Sequence, residues 1–323
     1  MIFEEQISRK PDRYPFAQDF IRAMWHNPWN PDKFNFNSDV QDFKTSFSAE
    51  EQEIIKKTLT AIGQIEIAVK KFWSKLGDNL PHPSLSDLGH TMSAIEVIHN
   101  VAYEKLIKVL GLEDVYEENL KIDVIQGRVA YLKKHLNKAY KDSKKQYIYS
   151  LILFTLYVEN VSLFSQFYIV LWFNKFKNVL KDTAQQVQYT KNEEMVHAQV
   201  GIKLIQTIRI EHPELFDEEL MTRIEMETIE AYNAEAKIVD WMIGDFSHEH
   251  LDAKILKEYI KKRLNDSLIQ LGMRPIFALN NELIEKTMWM EEEVLAPAMT
   301  DFFFKDPVDY SKNNKAFDTE ELF

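Results

Sequence analysis

Glu96-Val-Ile-His99 recurs in kind as Glu194-Met-Val-His197. A spacing of three puts the carboxylate and the imidazole of each pair on one helix face, within reach of one metal ion. One such pair arises by chance in many helices. Two of them, each in a largely apolar helical segment, form half of a carboxylate-bridged dimetal site. The other half should be two more inward-pointing carboxylates on neighbouring helices.

Two acids fit that requirement. Ile62, Glu66, Val69 and Trp73 share one stripe at i, i+4, i+7, i+11, so Glu66 sits on an otherwise apolar face. Taken alone, such a Glu more often reaches water or pairs with a Lys, and Lys70 is at hand. Glu159 is the only acid in the 25 residues from Tyr149 to Phe173, which contain no Lys or Arg. An ionised carboxylate there needs compensation, because an isolated charge is very costly in a low dielectric. Glu66, Glu96, Glu159 and Glu194 with His99 and His197 supply four carboxylates and two imidazoles, and four negative charges balance two divalent ions. Oxygen-rich donors with one nitrogen per ion suit iron or manganese rather than structural zinc. Tyr103, four residues after His99, shares the ligand face. It reads as an ordinary core tyrosine or as a residue oxidised by, or bonded to, the site.

The rest of the chain is consistent with an all-α protein. Its 323 residues include only 8 Gly and 10 Pro, and the length suffices for a substantial core. A net charge of −12 argues against nucleic-acid binding through the phosphate backbone. With no cysteine, disulfides and thiolate ligands are ruled out, and any thiol chemistry belongs to a partner. The first residues, Met1-Ile-Phe-Glu-Glu-Gln6, have neither a basic region nor an apolar core, so a secretory signal is not expected and the cytoplasm is the default. The Tyr149–Phe173 run is long enough to span a bilayer, but a central bundle helix reads the same way, and no membrane association is expected.

Residues 1–45, rich in Pro, Asn, Asp and aromatics, read as an N-terminal arm over a single helical domain that extends to residue 304. Ser48-Ala-Glu-Glu51 is a capping box that opens a helix to about Leu76. Pro81 and Pro83 break it. Further helices are expected over about 86–110, 113–138, the apolar run, 179–210, 215–245, 250–271 and 280–298. Residues 305–323, acidic and poor in apolar side chains, read as a flexible tail: either a frayed terminus or a peptide that docks into a partner.

The pattern Glu96-x-x-His99-x-x-x-Tyr103, the apolar helix with Glu159, and Glu193-Glu194-x-x-His197 resemble the beta, radical-generating subunit of class I ribonucleotide reductase. Trp29-Asn-Pro and the acidic tail add to the likeness, which covers nearly the whole chain. The resemblance implies a ferritin-like bundle, a homodimer, and docking through the C-terminal tail on a catalytic alpha subunit that carries the thiols. It implies an activity in which an oxidised dimetal cofactor starts the reduction of ribonucleotides to deoxyribonucleotides. It assigns Glu66, Glu96 and His99 to one ion and Glu159, Glu194 and His197 to the other. Trp29 and Glu193 fall on the electron path, and Tyr310 at the subunit relay. Glu66 and Glu193 stand where the common diiron-tyrosyl subclass has Asp, whereas Tyr103 separates the chain from the manganese-iron subclass. With Lys70 one turn after Glu66, the chain looks most like the dimanganese subclass (class Id), using two Mn ions, or alternatively two Fe, and superoxide or O2. A Lys beside the ligands draws an anionic oxidant by charge attraction. The alternatives are a diiron-tyrosyl reductase subunit, another dimetal oxidase of the same fold, an iron store, or a non-catalytic helical interaction protein.

Overall fold

The computed structural model describes residues 1–26, 29–139 and 143–293, except for the side chains of Glu66 and residues 137–139. Met1–Thr287 form one compact unit, and Met288 begins a second. Among the described residues the fold is mostly helical.

The arm carries helices α1 (Phe16–His26) and α2 (Asn37–Thr45). Ser48 then opens α3 (Ala49–Trp73) with the expected box: Ser48 Oγ accepts from Glu51 N at 3.2 Å, and Glu51 Oε2 accepts from Ser48 N at 2.9 Å. A single turn, α4 (Leu76–Asn79), separates α3 from α5 (Pro83–Val109), which Pro83 starts without forfeiting a backbone bond. α3 runs along α5. Gly89 permits the approach, since a Cβ there would collide with the carbonyl of Trp73 and the side chain of Leu76.

The helix expected over 113–138 is in fact two, α6 (Glu113–Asn119) and α7 (Asp123–Ala139). Asn119 turns its amide to Thr60 Oγ1 on α3 at 3.2 Å, and the chain redirects before Asp123 restarts the helix. Such a tertiary hydrogen bond leaves no mark on local periodicity.

The apolar run lies inside one long helical rod, Lys144–Lys177, with mean hydropathy 1.4 over its most apolar window. Among the described residues it is the one helix long and apolar enough to cross a bilayer, but 94% of that window is buried within the protein. It is a core helix here. The rod comprises α8 (Lys144–Leu153), a π-wound stretch (Phe154–Ser162) and α9 (Phe164–Lys177). The π winding was not foreseen, and Glu159 sits within it.

α10 (Lys181–Glu211) follows and lies against the π stretch. Gly201 makes this contact possible, because a Cβ there would strike Thr155. The arm also caps α10, which no sequence signal indicated. Asp39, fully buried on α2, accepts from Thr183 N at 2.7 Å, Thr183 Oγ1 at 2.6 Å and Asp182 N at 3.2 Å. A carboxylate on the first amides of a helix satisfies orphan donors and the positive end of the dipole. The arm thereby fixes the helix that carries Glu193, Glu194 and His197. α11 (Glu218–Ile243), a two-residue hairpin (Ser247–His248 with Leu251–Asp252), α12 (Ala253–Gln270) and α13 (Asn281–Glu285) complete the unit. The hairpin was not anticipated; it ends on Asp252, which caps α12 by accepting from Ile255 N at 2.7 Å.

Candidate metal centre

α5, the π stretch and α10 bring Glu96, Glu159, Glu194 and His197 together. Donor atoms of these four residues all lie within 4.8 Å of one another, and all four side chains are fully buried. His197 Nδ1 is 2.7 Å from Glu96 Oε1, 3.5 Å from Glu194 Oε2 and 3.7 Å from Glu159 Oε2. His99 joins them, its Nδ1 3.1 Å from Glu194 Oε1 and 3.3 Å from Glu96 Oε2. The Glu66 side chain lies outside the described residues; its backbone sits on α3, one turn before Lys70.

The electrostatics are those of crowded, buried acids facing imidazoles. Burial and the charge of Glu194 push the Glu159 carboxyl well above its usual range. Burial opposes ionisation of Glu96 and Glu194 too, yet the facing imidazoles hold both below the ordinary range, with the Glu159 carboxyl also acting on Glu194. Burial also opposes charge on His197, but the surrounding acids raise it well above an ordinary histidine. Protein groups nevertheless leave much of the cluster unbonded. Glu96 Oε1, Glu159 Oε2, both Glu194 oxygens and both His197 nitrogens are buried without an aligned hydrogen-bond partner. His197 Nδ1 and Glu96 Oε1 are close but poorly aligned, an ion-pair contact rather than a hydrogen bond. So many converging orphan donors are costly unless a cation satisfies them. The residues fit a pair of divalent ions.

Outward from the cluster runs a hydrogen-bonded chain. His99 Nε2 meets Glu193 Oε2 at 2.7 Å, and the same oxygen accepts from Trp29 Nε1 at 2.8 Å. With the Nε2 proton donated to Glu193, the Nδ1 lone pair faces Glu96 and Glu194, the tautomer that a metal-ligating histidine requires. The Trp29 ring, 6% exposed, stacks on His99 at 6.3 Å and on Tyr189 at 5.8 Å. Glu193 and Trp29 also line a surface cleft of about 450 Å³ with Trp25, His90, Ile95 and Ile98.

Tyr103 is fully buried and donates to Thr190 Oγ1 on α10 at 3.3 Å. Lys70, half-buried, donates at 2.9 Å to Oδ1 of Asn100, the residue that follows His99. Tyr310 lies outside the described residues. One contact escaped sequence reasoning: Trp73 donates from Nε1 to Glu159 Oε1. Its place on the Glu66 stripe was the available signal.

The family description "Ribonucleotide reductase, small chain" matches residues 6–282. A ribonucleoside-diphosphate reductase subunit beta of Halalkalibacterium halodurans is 22% identical over 305 residues, covering 93% of this chain and 87% of that protein. That of Treponema pallidum is 21% identical over 313 residues, covering 95% and 88%. Among solved structures, the ribonucleotide reductase R2 subunit from Clostridium botulinum superposes with a TM-score of 0.79 at 17% identity, covering 91% of this chain and 98% of that one. A dimanganese(II) protein of Streptococcus sanguinis gives 0.74 at 13% identity, covering 88% and 99%. An R2-like ligand-binding oxidase with a Mn/Fe cofactor gives 0.70 at 19%, covering 83% and 98%. At these identities the structural likeness concerns the ferritin-like fold of this group.

Proposed function

The chain belongs to the ribonucleotide reductase small-chain family, and from that premise we propose that it is the beta subunit of a ribonucleoside-diphosphate reductase. Small subunits of this enzyme work with a large subunit, and the proposed partner is a catalytic alpha subunit that bears the reacting cysteine. The observation that carries the reading is the buried convergence of Glu96, Glu159, Glu194, His99 and His197, with most donor atoms of Glu96, Glu159, Glu194 and His197 unbonded. Glu66, Glu96 and His99 would hold one ion and Glu159, Glu194 and His197 the other.

When bound, the ion pair supplies the one-electron oxidising power. The protein's own residues move the hole outward. Trp29, on losing an electron, releases its Nε1 proton to Glu193 Oε2 at 2.8 Å, so positive charge does not accumulate in a buried ring. His99 holds the same carboxylate oxygen in place. Tyr310 is the proposed relay at the subunit boundary.

Manganese is favoured over iron, superoxide or O2 is the oxidant, and a metal-based oxidant is favoured over a tyrosyl radical. Glu66 at the first ligand position, Lys70 one turn on and a retained Tyr103 support this. Changing Tyr103 to Phe tests it. The change removes one hydrogen bond to Thr190, worth about 1 kcal/mol, so the protein remains folded. Turnover with alpha is expected to stay near wild type. Complete loss would instead assign the radical to the Tyr103 phenol and favour the diiron-tyrosyl alternative.

The subunit is proposed to be a cytoplasmic homodimer. Ile67 on α3 and Val97 and Val101 on α5 are exposed on neighbouring helices, apolar surface that a second copy would cover. Alpha docks on residues 305–323. The second reading, a self-contained dimetal oxidase, is favoured by the likeness to the ligand-binding oxidase. Truncation separates the two. Deleting residues 304–323 is expected to abolish reductase activity while leaving bound metal unchanged; a self-contained oxidase would keep its activity.

A further inference from the structure

The π-wound stretch that carries Glu159 is braced from behind by α12. A helix wound with i+5 bonds is rare, and any buried carbonyl that loses its i+4 amide must find another donor. Two carbonyls of this stretch receive donors from α12. Arg263 Nε donates to the Asn160 carbonyl at 2.6 Å, and Ser267 Oγ donates to the Leu156 carbonyl at 3.1 Å. Arg263 and Ser267 lie four residues apart and so share one face of α12.

The Asn160 side chain closes the network. Its Oδ1 accepts from Arg263 Nη2 at 2.8 Å, and its Nδ2 donates to Ser267 Oγ at 2.9 Å. Arg263 Nη1 reaches Tyr259 OH at 3.3 Å, and the guanidinium lies 3.4 Å from the centre of the Phe164 ring. Ser267 is fully buried and Arg263 is 7% exposed. For stability alone, well-packed apolar residues in place of a buried ionic group are often as good or better. What the network adds is geometry: a planar fork fixes a backbone carbonyl and a side chain of one residue at once. That residue is the immediate neighbour of Glu159.

We infer that Arg263 and Ser267 are positioning residues for Glu159, holding the wide turn in the register that aims this carboxylate at the centre. Their hydrogen bonds go to Asn160, Leu156 and Tyr259 and not to the cluster. The inference rests on the dimetal reading, and it places part of the site's control on a helix that contributes no ligand. Loosening the brace lets the turn relax toward ordinary helix and swings Glu159 out of register with Glu194 and His197.

The test is Mn(II) titration of the full-length chain without alpha, following free Mn(II) by electron paramagnetic resonance. Wild type is compared with Arg263→Lys, Ser267→Ala and, as a destabilised control on the same helix, Leu264→Ala. In Arg263→Lys the ion held by Glu159 is expected to bind about 10-fold more weakly while the other stays within about twofold, the scale on which supports behind metal ligands act. Ser267→Ala, the milder change, should shift the same ion in the same direction. Leu264→Ala should lower the thermal midpoint and leave both affinities in place. Wild-type binding of two ions, with both brace variants either binding them equally tightly or losing them in step with thermal stability, overturns the brace. Failure of wild type to bind two ions overturns the dimetal reading itself.

Discussion

His197→Ala yields a protein that holds one divalent ion per chain instead of two and has no measurable reductase activity with alpha. The expectation follows from where the ring sits. It is fully buried, and its Nδ1 lies within 3.7 Å of three carboxylates, Glu96, Glu194 and Glu159. Removing it deletes the one nitrogen donor assigned to its ion and leaves an ion with oxygen donors alone. Losing groups that merely support metal ligands costs 10–100-fold in affinity, so losing a ligand should exceed about 100-fold. The metal-free form suffers as well. Glu96 and Glu194 ionise readily because imidazoles face them, and taking away one partner of a buried ion cluster costs on the order of 3–5 kcal/mol. Metal analysis after loading, together with a thermal melt of the stripped protein, checks both parts. Wild-type stoichiometry with full activity would remove His197 from the ligand set.

Trp29→Phe separates the metal site from the path leaving it. Phenylalanine keeps an aromatic ring against His99 and Tyr189 but has no Nε1–H to donate to Glu193 and is far harder to oxidise. Fold and ion content should therefore match wild type. Reductase activity with alpha should fall to background, because phenylalanine cannot carry the charge outward. Glu193→Gln, which keeps an acceptor but cannot take up the proton as a carboxylate does, should lose activity with the same retention of metal. Loss of ions in either variant would mean that the Trp29–Glu193–His99 chain acts by orienting His99 rather than by carrying charge.

The parts of this molecule that follow from local pattern were legible in the sequence. The Ser48–Glu51 cap, the long helices and the buried apolar rod all follow from periodicity and punctuation. The burial of Glu159 was legible because a single acid in a long apolar run is carried inward with it. The paired Glu-x-x-His motifs predicted which faces would meet, and Glu96, His99, Glu194 and His197 do meet.

What escaped depends on contacts between elements. Asn119 ends a helix for the sake of Thr60, and Asp39 caps a helix more than a hundred residues away, and neither partner is visible locally. The π winding around Glu159 has no periodic signature over so short a stretch. Arg263 and Ser267 read as ordinary positions on an amphipathic helix until α12 is set against that turn. Trp73 was placed on the right stripe, but its bond to Glu159 required knowing how α3 and the π stretch sit together.

Electron paramagnetic resonance of the purified full-length chain loaded with Mn(II), with metal content measured on the same sample, reads out whether the buried cluster holds a metal pair. Two bound ions per chain and the spectrum of an exchange-coupled manganese pair are expected. An unbound-Mn(II) spectrum, or a single isolated ion per chain, would contradict the dimetal reading.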